Sequence, residues 1–403
     1  MRTPEKPWDM PDISFGLPNA RGEAHSFDRS EIEKVLGLPF TPDNRVRILK
    51  SGKETFQTIL DSIENAREII CVEIYIFKDD NTGTRIAELL KKKAVQGVRV
   101  YVIYDHFGSF LTSRHFWKDL AASGVKLRAS HPFKWTSPRR YVRRNHRKLL
   151  TIDGQRAFTG GFNIADEYHR YFKRWLKAWR DTGILLEGPI AATLLEMFRQ
   201  RWIAWKGKPI TWDKKAAPVS PGVPVIPIFT NSAKERRRMR NLLYYSINRS
   251  RERIFITNAY FTPGLKLMKA LGNAVKRGVD VKLLLPGKSD FAPVHYAGRH
   301  SYAKLMGKGI EIYNYQGSIL HAKTAVFDRH WSVIGSANLD FQSLRRNDEG
   351  NVGILDSDFS RQMTRLFLDD LHQAVKLAAD TWSERPFYEK VLEKFFALFR
   401  KRL

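Results

Sequence analysis

Two stretches of this chain carry the same chemistry-bearing residues at the same spacing. The first is His146-Arg147-Lys148 with Asp153, followed by Gly160-Gly161-Phe162-Asn163. The second is His321-Ala322-Lys323 with Asp328, followed by Gly335-Ser336-Ala337-Asn338. One H-x-K carries no information, but two copies of H-x-K-x4-D, each followed at the same interval by Gly-Gly/Ser-x-Asn, are not a chance pattern. Histidine, with a reference pKa near 6.5, serves as nucleophile or as acid and base. Lysine and asparagine side chains neutralise charge on phosphoryl oxygens in a transition state. Two imidazoles, two ammonium groups and two amides brought together make a phosphodiester site. With two lysines present such a site needs no metal, and the sequence offers neither a carboxylate cluster nor a Cys/His pattern to bind one.

The spacing restricts what positions these groups. Leu149-Leu150-Thr151-Ile152 and Thr324-Ala325-Val326-Phe327 read as strands. On a strand, residues i and i+2 share a face, so His146 goes with Lys148 and His321 with Lys323. Asp153 and Asp328 fall at odd offsets, which assigns them to local structure and not to proton transfer. The glycines let backbone approach a ligand. Asn163 and Asn338 are read as phosphate-binding donors, with a turn role as the alternative.

The surrounding elements repeat as well. A helical pattern at Phe56-Ile59-Leu60-Ile63 leads to an apolar run, Ile69 to Phe77, then a helix at Ile86 to Ala94 and a strand at Val98 to Tyr104. The second half runs through a basic helix, Lys234 to Ile247, a strand at Arg253 to Phe261, a helix at Leu265 to Val275 and a strand at Val279 to Leu285. This alternation predicts an α/β fold of two tandem domains. Each is expected to be a mixed, largely parallel sheet flanked by helices, the two related by a pseudo-twofold axis around one shared active site. The expected division is an extension at 1–44, a first domain at 45–215, a stiff Pro-rich linker at 216–228, a second domain at 229–383 and a basic amphipathic helix at 384–403. In that last segment Phe387, Tyr388, Val391, Leu392, Phe395, Phe396 and Phe399 recur at helical spacing beside Lys390, Lys394, Arg400, Lys401 and Arg402. This is the pattern of an interfacial membrane helix, with packing on the protein's own core as the alternative.

Composition narrows the partners. The 403 residues carry 69 Lys and Arg against 42 Asp and Glu, a formal charge of +27, which attracts polyanions, either nucleic acid or an anionic membrane. Clusters at Arg139-Arg140 with Arg143-Arg144, and at Arg236-Arg237-Arg238 with Arg240, are candidates for headgroup contact. The single cysteine, Cys71, lies in an apolar run and reads as core. No stretch reaches the roughly 18–20 apolar residues of a membrane span, and the polar start lacks the form of a signal peptide.

These residues resemble the phospholipase D superfamily and, more closely, bacterial cardiolipin synthases. The likeness lies in Gly160 to Tyr168, Trp179-Arg180-Asp181-Thr182, Glu187-Gly188-Pro189, Gly335 to Asp340, Ser343 to Glu349, and Glu73 to Asp80. It spans roughly Arg45 to Leu403, in the manner of the short forms that lack two N-terminal membrane-spanning helices. The resemblance implies phosphatidyl transfer without a cofactor, in which phosphatidylglycerol plus phosphatidylglycerol gives cardiolipin plus glycerol through a phosphatidyl-histidine. By analogy His146 is the nucleophile and His321 the acid and base; the duplicated motif, being symmetric, does not choose. Carboxylates at the positions of Asp181 and Glu349 hold the histidine rings in the superfamily. The expected location is the cytoplasmic face of a bacterial membrane, as a peripheral protein with no nucleic-acid partner. Alternatives are a hydrolytic phospholipase D, a phosphatidylethanolamine-using or phosphatidylserine-synthase-like transferase, a nuclease, and an inactive membrane scaffold.

Overall fold

The computed structural model describes residues 27–133, 143–169 and 177–402. The first half contributes β1 (Thr41–Leu49), β2 (Ile69–Ile74), β3 (Arg99–Asp105), β4 (Lys126–Ser130), β5 (Leu149–Ile152), β6 (Arg156–Gly160) and β7 (Gly183–Glu187). The second contributes β8 (Val223–Phe229), β9 (Arg253–Asn258), β10 (Asp280–Pro286), β11 (Glu311–Tyr315), β12 (Lys323–Phe327), β13 (Trp331–Gly335), β14 (Gly350–Leu355) and a short β15 (Ala374–Lys376). They form one sheet in the order β15-β11-β10-β9-β12-β13-β14-β8-β1-β7-β6-β5-β2-β3-β4. Apart from β15 the order is a palindrome about the β8–β1 pair, so the pseudo-twofold axis passes between those two strands.

Local sequence accounts for the elements. The helix Gly52–Glu64 starts where Ser51 accepts a hydrogen bond from the Glu54 N–H, and it buries Phe56, Leu60 and Ile63. Its counterpart, Ala233–Arg249, opens on a full capping box between Ser232 and Glu235. Every residue of β2 is buried, as expected of a strand covered on both faces. One apolar cluster lies in the first half around Phe56, Ile70 and Val102. Another lies in the second half around Ile256, Leu271 and Leu283. A third joins the halves, with Phe198 and Trp202 of the helix Pro189–Ala204 packed in one body with Val352 and Phe359.

Three sequence-based expectations need correction. The sheet is not largely parallel: among the described residues only the β2–β3, β3–β4, β9–β10 and β10–β11 ladders are parallel, and the other ladders are antiparallel. The strand–helix–strand units were legible, but the motif strands β5 and β12 turn straight back into β6 and β13 as hairpins. The Pro-rich segment 216–228 is not a free spacer, because its second part is β8, paired with β14 on one side and with β1 on the other. Pro227, which has no N–H to give, lies beyond Val225, where the β1 ladder ends. The boundary placed at residues 44 and 45 likewise falls inside β1.

The C-terminal segment is helical over Phe387–Leu398 and rests on the helix Ala292–Arg299 through charged groups. Glu393, only 1% exposed, receives Arg299 at 3.0 Å and Arg385 at 2.7 Å. The phenylalanine face points outward, and Phe396 alone of that stripe stacks, on Tyr296. No helix among the described residues is long and apolar enough to cross a membrane.

Candidate active site

The histidines precede the strands that the repeat predicts. His146 sits just before β5, and His321 sits just before Lys323, the first residue of β12. All four residues, His146, Lys148, His321 and Lys323, are buried. Each histidine is fixed by the opposite half of the molecule. The His146 N–H donates to the Asp348 carbonyl at 2.8 Å, and the His321 N–H donates to the Arg180 carbonyl at 2.7 Å. These bonds belong to two short parallel bridges, Asn145 with Asp348 and Leu320 with Arg180, that cross the interface.

The bridges bring the next residue, Glu349 or Asp181, against the ring. Nδ1 of His146 lies 3.0 Å from Oε2 of Glu349, and Nδ1 of His321 lies 2.6 Å from Oδ2 of Asp181. An ionised carboxylate only accepts, so each ring carries its proton on Nδ1 and leaves the Nε2 lone pair for chemistry. Behind Asp181, Gly161 has no room for a side chain: a Cβ there would meet Oδ1 of Asp181 at 2.0 Å. Ser336 is the counterpart of Gly161, and its hydroxyl donates to Glu349.

The two ring–carboxylate pairs differ electrostatically. Burial raises the Glu349 carboxyl, but the His146 ring and Lys148 outweigh it, so Glu349 lies below the ordinary glutamate range. Burial dominates at Asp181 and pushes it up to about 6. Burial and then Lys148 lower the His146 imidazole, and burial and then Lys323 hold His321 well below the usual value. Both rings are therefore biased toward the neutral form. Burial drives Lys148 well below the ordinary lysine range and Lys323 down to about 8. The Lys148 ammonium donates to the His146 carbonyl at 2.7 Å. Lys323 donates to the His321 carbonyl and also crowds Nδ1 of that ring at 2.7 Å. A buried set of mutually repelling cations favours an anion among them.

Asp153 and Asp328 stand at the far ends of β5 and β12, with φ of 50° and 52°. The Asp153 carboxylate accepts from the N–H groups of Arg67, Glu68 and Ile69 at the start of β2. Asp328 accepts likewise from Arg251, Glu252 and Arg253 at the start of β9. Oδ1 of Asn163 accepts from the Ile76 N–H, and Oδ1 of Asn338 accepts from the Tyr260 N–H, each at 3.3 Å. One amide hydrogen of Asn163 is directed to the Tyr168 hydroxyl at 2.8 Å. Asn163 is thus more engaged with protein than the sequence suggested.

Several neighbours carry no role assigned from the sequence. The Tyr168 hydroxyl reaches Nδ1 of His321 at 3.4 Å, and the Tyr75 ring meets the His146 ring at a centroid distance of 4.9 Å. Beneath His146, Asp348 gathers Arg201 at 2.6 Å, Arg236 at 3.2 Å and His131 at 3.4 Å. Arg143 and Arg236 of the predicted basic clusters are thus drawn inward toward Asp348, whereas Arg139 and Arg140 lie outside the described residues. Among the described residues no group of three His, Cys, Asp or Glu side chains is arranged to hold a metal ion.

A family model described as cardiolipin synthase, PLD-like domain matches residues 59–202 and 243–371, one match in each half. Cardiolipin synthase 2 of Bacillus anthracis is 33% identical over 374 residues, covering 91% of this chain and 72% of that protein. Cardiolipin synthase A of Pseudomonas putida is 32% identical over 377 residues, covering 93% and 77%. The crystal structure of a phosphatidylserine synthase from Haemophilus influenzae Rd KW20 superposes with a TM-score of 0.75 at 14% identity, covering 93% of this chain and 100% of that one. At that identity the likeness is one of fold.

Proposed function

The chain belongs to the cardiolipin synthase family of phospholipase D-like proteins, and from this we propose that it makes cardiolipin by transferring a phosphatidyl group between two phosphatidylglycerol molecules. The observation that carries the reading is the crossed pairing of two buried histidines with carboxylates of the opposite half, beside two buried lysines.

His146 is assigned as the nucleophile. Its Nε2 lone pair attacks the phosphorus of the first phosphatidylglycerol and forms an N–P bond, while the P–O bond to the headgroup glycerol breaks. His321, in the reactive form protonated on Nε2 as well as Nδ1 and balanced by the Asp181 carboxylate, gives its Nε2 proton to the departing glycerol oxygen. It then takes the proton from a glycerol hydroxyl of the second phosphatidylglycerol, whose oxygen attacks the phosphorus and releases His146. One phosphodiester replaces another, so no nucleotide is consumed. Glu349, held below the ordinary range, supports the positive ring that the intermediate creates on His146. Lys148 and Lys323 balance charge on the equatorial oxygens. Asn338, and Asn163 through its remaining amide hydrogen, are assigned to the same oxygens. Asp153 and Asp328 fix the strands that carry the motifs.

The working location is the cytoplasmic face of an anionic bacterial membrane, where a formal charge of +27 concentrates the protein at the surface that holds its substrate. The test is incubation of the protein with phosphatidylglycerol in mixed micelles and detection of cardiolipin and glycerol together. Phosphatidic acid in place of cardiolipin would make water the acceptor and overturn the transferase assignment.

A further inference from the structure

The C-terminal helix is inside out. In an ordinary surface helix the apolar stripe faces the protein and the charged residues face water. Here the buried residue is Glu393, clamped between Arg299 and Arg385, with Glu389 also on Arg299. The outward face carries Phe387 at 80% exposure and Leu398 at 79%, with Tyr388, Val391, Phe395 and Phe399 between them. Lys390 and Lys394 lie on the same helix, and Arg400 and Lys401 follow its end. The ion pairs and the stacking of Phe396 on Tyr296 seat the helix, and they leave the face from Phe387 to Leu398 exposed.

A second apolar projection stands on the opposite half. The loop 106–112 follows the carboxyl end of β3 and exposes Phe110 at 70% and Leu111 at 84%. Its base is fixed by buried polar groups. Asp105 accepts from the Phe107 and Gly108 N–H groups, and the Ser109 and Thr112 hydroxyls donate to the carbonyls of Tyr75 and Phe77. Packing therefore holds two large apolar side chains out in water, which folding alone does not favour.

Both projections connect to the site. Loop 106–112 packs on Tyr75, the ring beside His146. In the repeat, the counterpart of that loop follows β10, where Asp290 accepts from the Tyr260 hydroxyl; the Tyr260 ring lies 6.2 Å from that of His321. Phe291, exposed, then caps the helix 292–299 on which the C-terminal helix sits. The segments that follow β3 and β10 thus each link the surroundings of one histidine ring, through Tyr75 or Tyr260, to one apolar projection.

We propose that loop 106–112 and the outward face of the helix 387–398 form a two-point docking surface that inserts into the headgroup layer of an anionic bilayer and sets the active-site mouth against it. The basic residues on the helix and after its end select anionic over neutral lipid, and the apolar tips enter the acyl boundary. Placement of the mouth rests on the phospholipid-substrate reading; the docking surface itself does not.

The test compares the full chain with two double variants, Phe110→Glu/Leu111→Glu and Phe387→Glu/Leu398→Glu. Flotation is measured with phosphatidylglycerol-containing vesicles and with phosphatidylcholine vesicles, and turnover is measured on short-chain phosphatidylglycerol dispersed below its micelle concentration. The parent floats with the anionic vesicles and weakly with the neutral ones. Each double variant loses binding by roughly tenfold or more, with turnover of the dispersed substrate retained. Unchanged flotation in either variant overturns the proposal, as does loss of turnover on dispersed substrate in a variant that keeps the parent's urea midpoint, which would place these residues in the reaction and not in docking. If the parent floats and the variants do not, yet none makes cardiolipin, the docking surface stands and the proposed reaction falls.

Discussion

His146 and His321 are equivalent in sequence and unequal in place, and the inequality has measurable consequences. Replacing Glu349 by Gln or Asp181 by Asn keeps the shape of the pair and removes the charge that fixes Nδ1–H. Each change is expected to lower kcat on the order of 10²-fold with KM little altered, measured on phosphatidylglycerol in micelles. An equal effect on KM would place these carboxylates in substrate binding. Asp181, raised to about 6, and Lys323, lowered to about 8, bracket the working range. Below the first, Asp181 gains a proton and ceases to hold the His321 ring as an anion; above the second, Lys323 loses the charge that meets the phosphodiester. The free-enzyme profile, kcat/KM against pH, is expected to rise through about 6 and fall through about 8. Lys323→Arg moves the alkaline limb upward if Lys323 is its source and leaves the limb in place if it is not. The histidines and lysines were legible because their types and spacing repeat. Tyr168, Tyr75 and Asp348 lay inside the segments that carry the family resemblance, but no role could be assigned to them, because each reaches the site through folding.

At the scale of elements, the aspartates of the two motifs work as strand staples. Three backbone N–H groups converge on each carboxylate, from segments far away in sequence. Asp328→Ala is expected to cost on the order of 3 kcal/mol, read as a lower midpoint in urea, with turnover per folded molecule largely kept. A collapse of kcat in fully folded protein would contradict this and make the aspartate a catalytic group. Periodicity revealed the helices and the parallel strand pairs. It did not reveal the sense of β5–β6 and β12–β13, since a hairpin and a crossover bury the same apolar run. The prolines of 216–228 read as a linker because Pro is rare inside sheets, yet β8 accommodates Pro227 where β1 has already ended. The amphipathic pattern of residues 387–399 was visible, but which face would be buried depended on Arg299 and Arg385, which lie outside that pattern.

The described residues form a single sheet with the candidate active site on its seam, and the seam is held by charge as well as by the shared core. Asp348 of the second half, buried, binds Arg201 and His131 of the first half and Arg236 of its own. Burial opposes its ionisation, but the His131 hydrogen bond and the arginines win and hold it down at about 2. A carboxylate with a depressed folded-state pKa contributes stability that is complete above its unfolded value near 4 and is lost as pH falls toward about 2. Asp348→Ala leaves buried guanidinium groups unpaired and is expected to cost about 3–5 kcal/mol at pH 7, with a smaller difference from the parent at pH 3. Equal destabilisation at both pH values would show that the lost contribution is packing and not charge.

The central claim is that one site, made by both halves, transfers a phosphatidyl group through histidine. Its most direct measurement is lipid mass spectrometry after incubating phosphatidylglycerol in mixed micelles with the parent, His146→Ala and His321→Ala proteins, without nucleotide or added metal. Cardiolipin with free glycerol is expected from the parent, and neither product from either variant. Cardiolipin from one of the single variants would contradict a shared two-histidine site. A parent that leaves every phospholipid unchanged would contradict the phosphatidyltransferase itself.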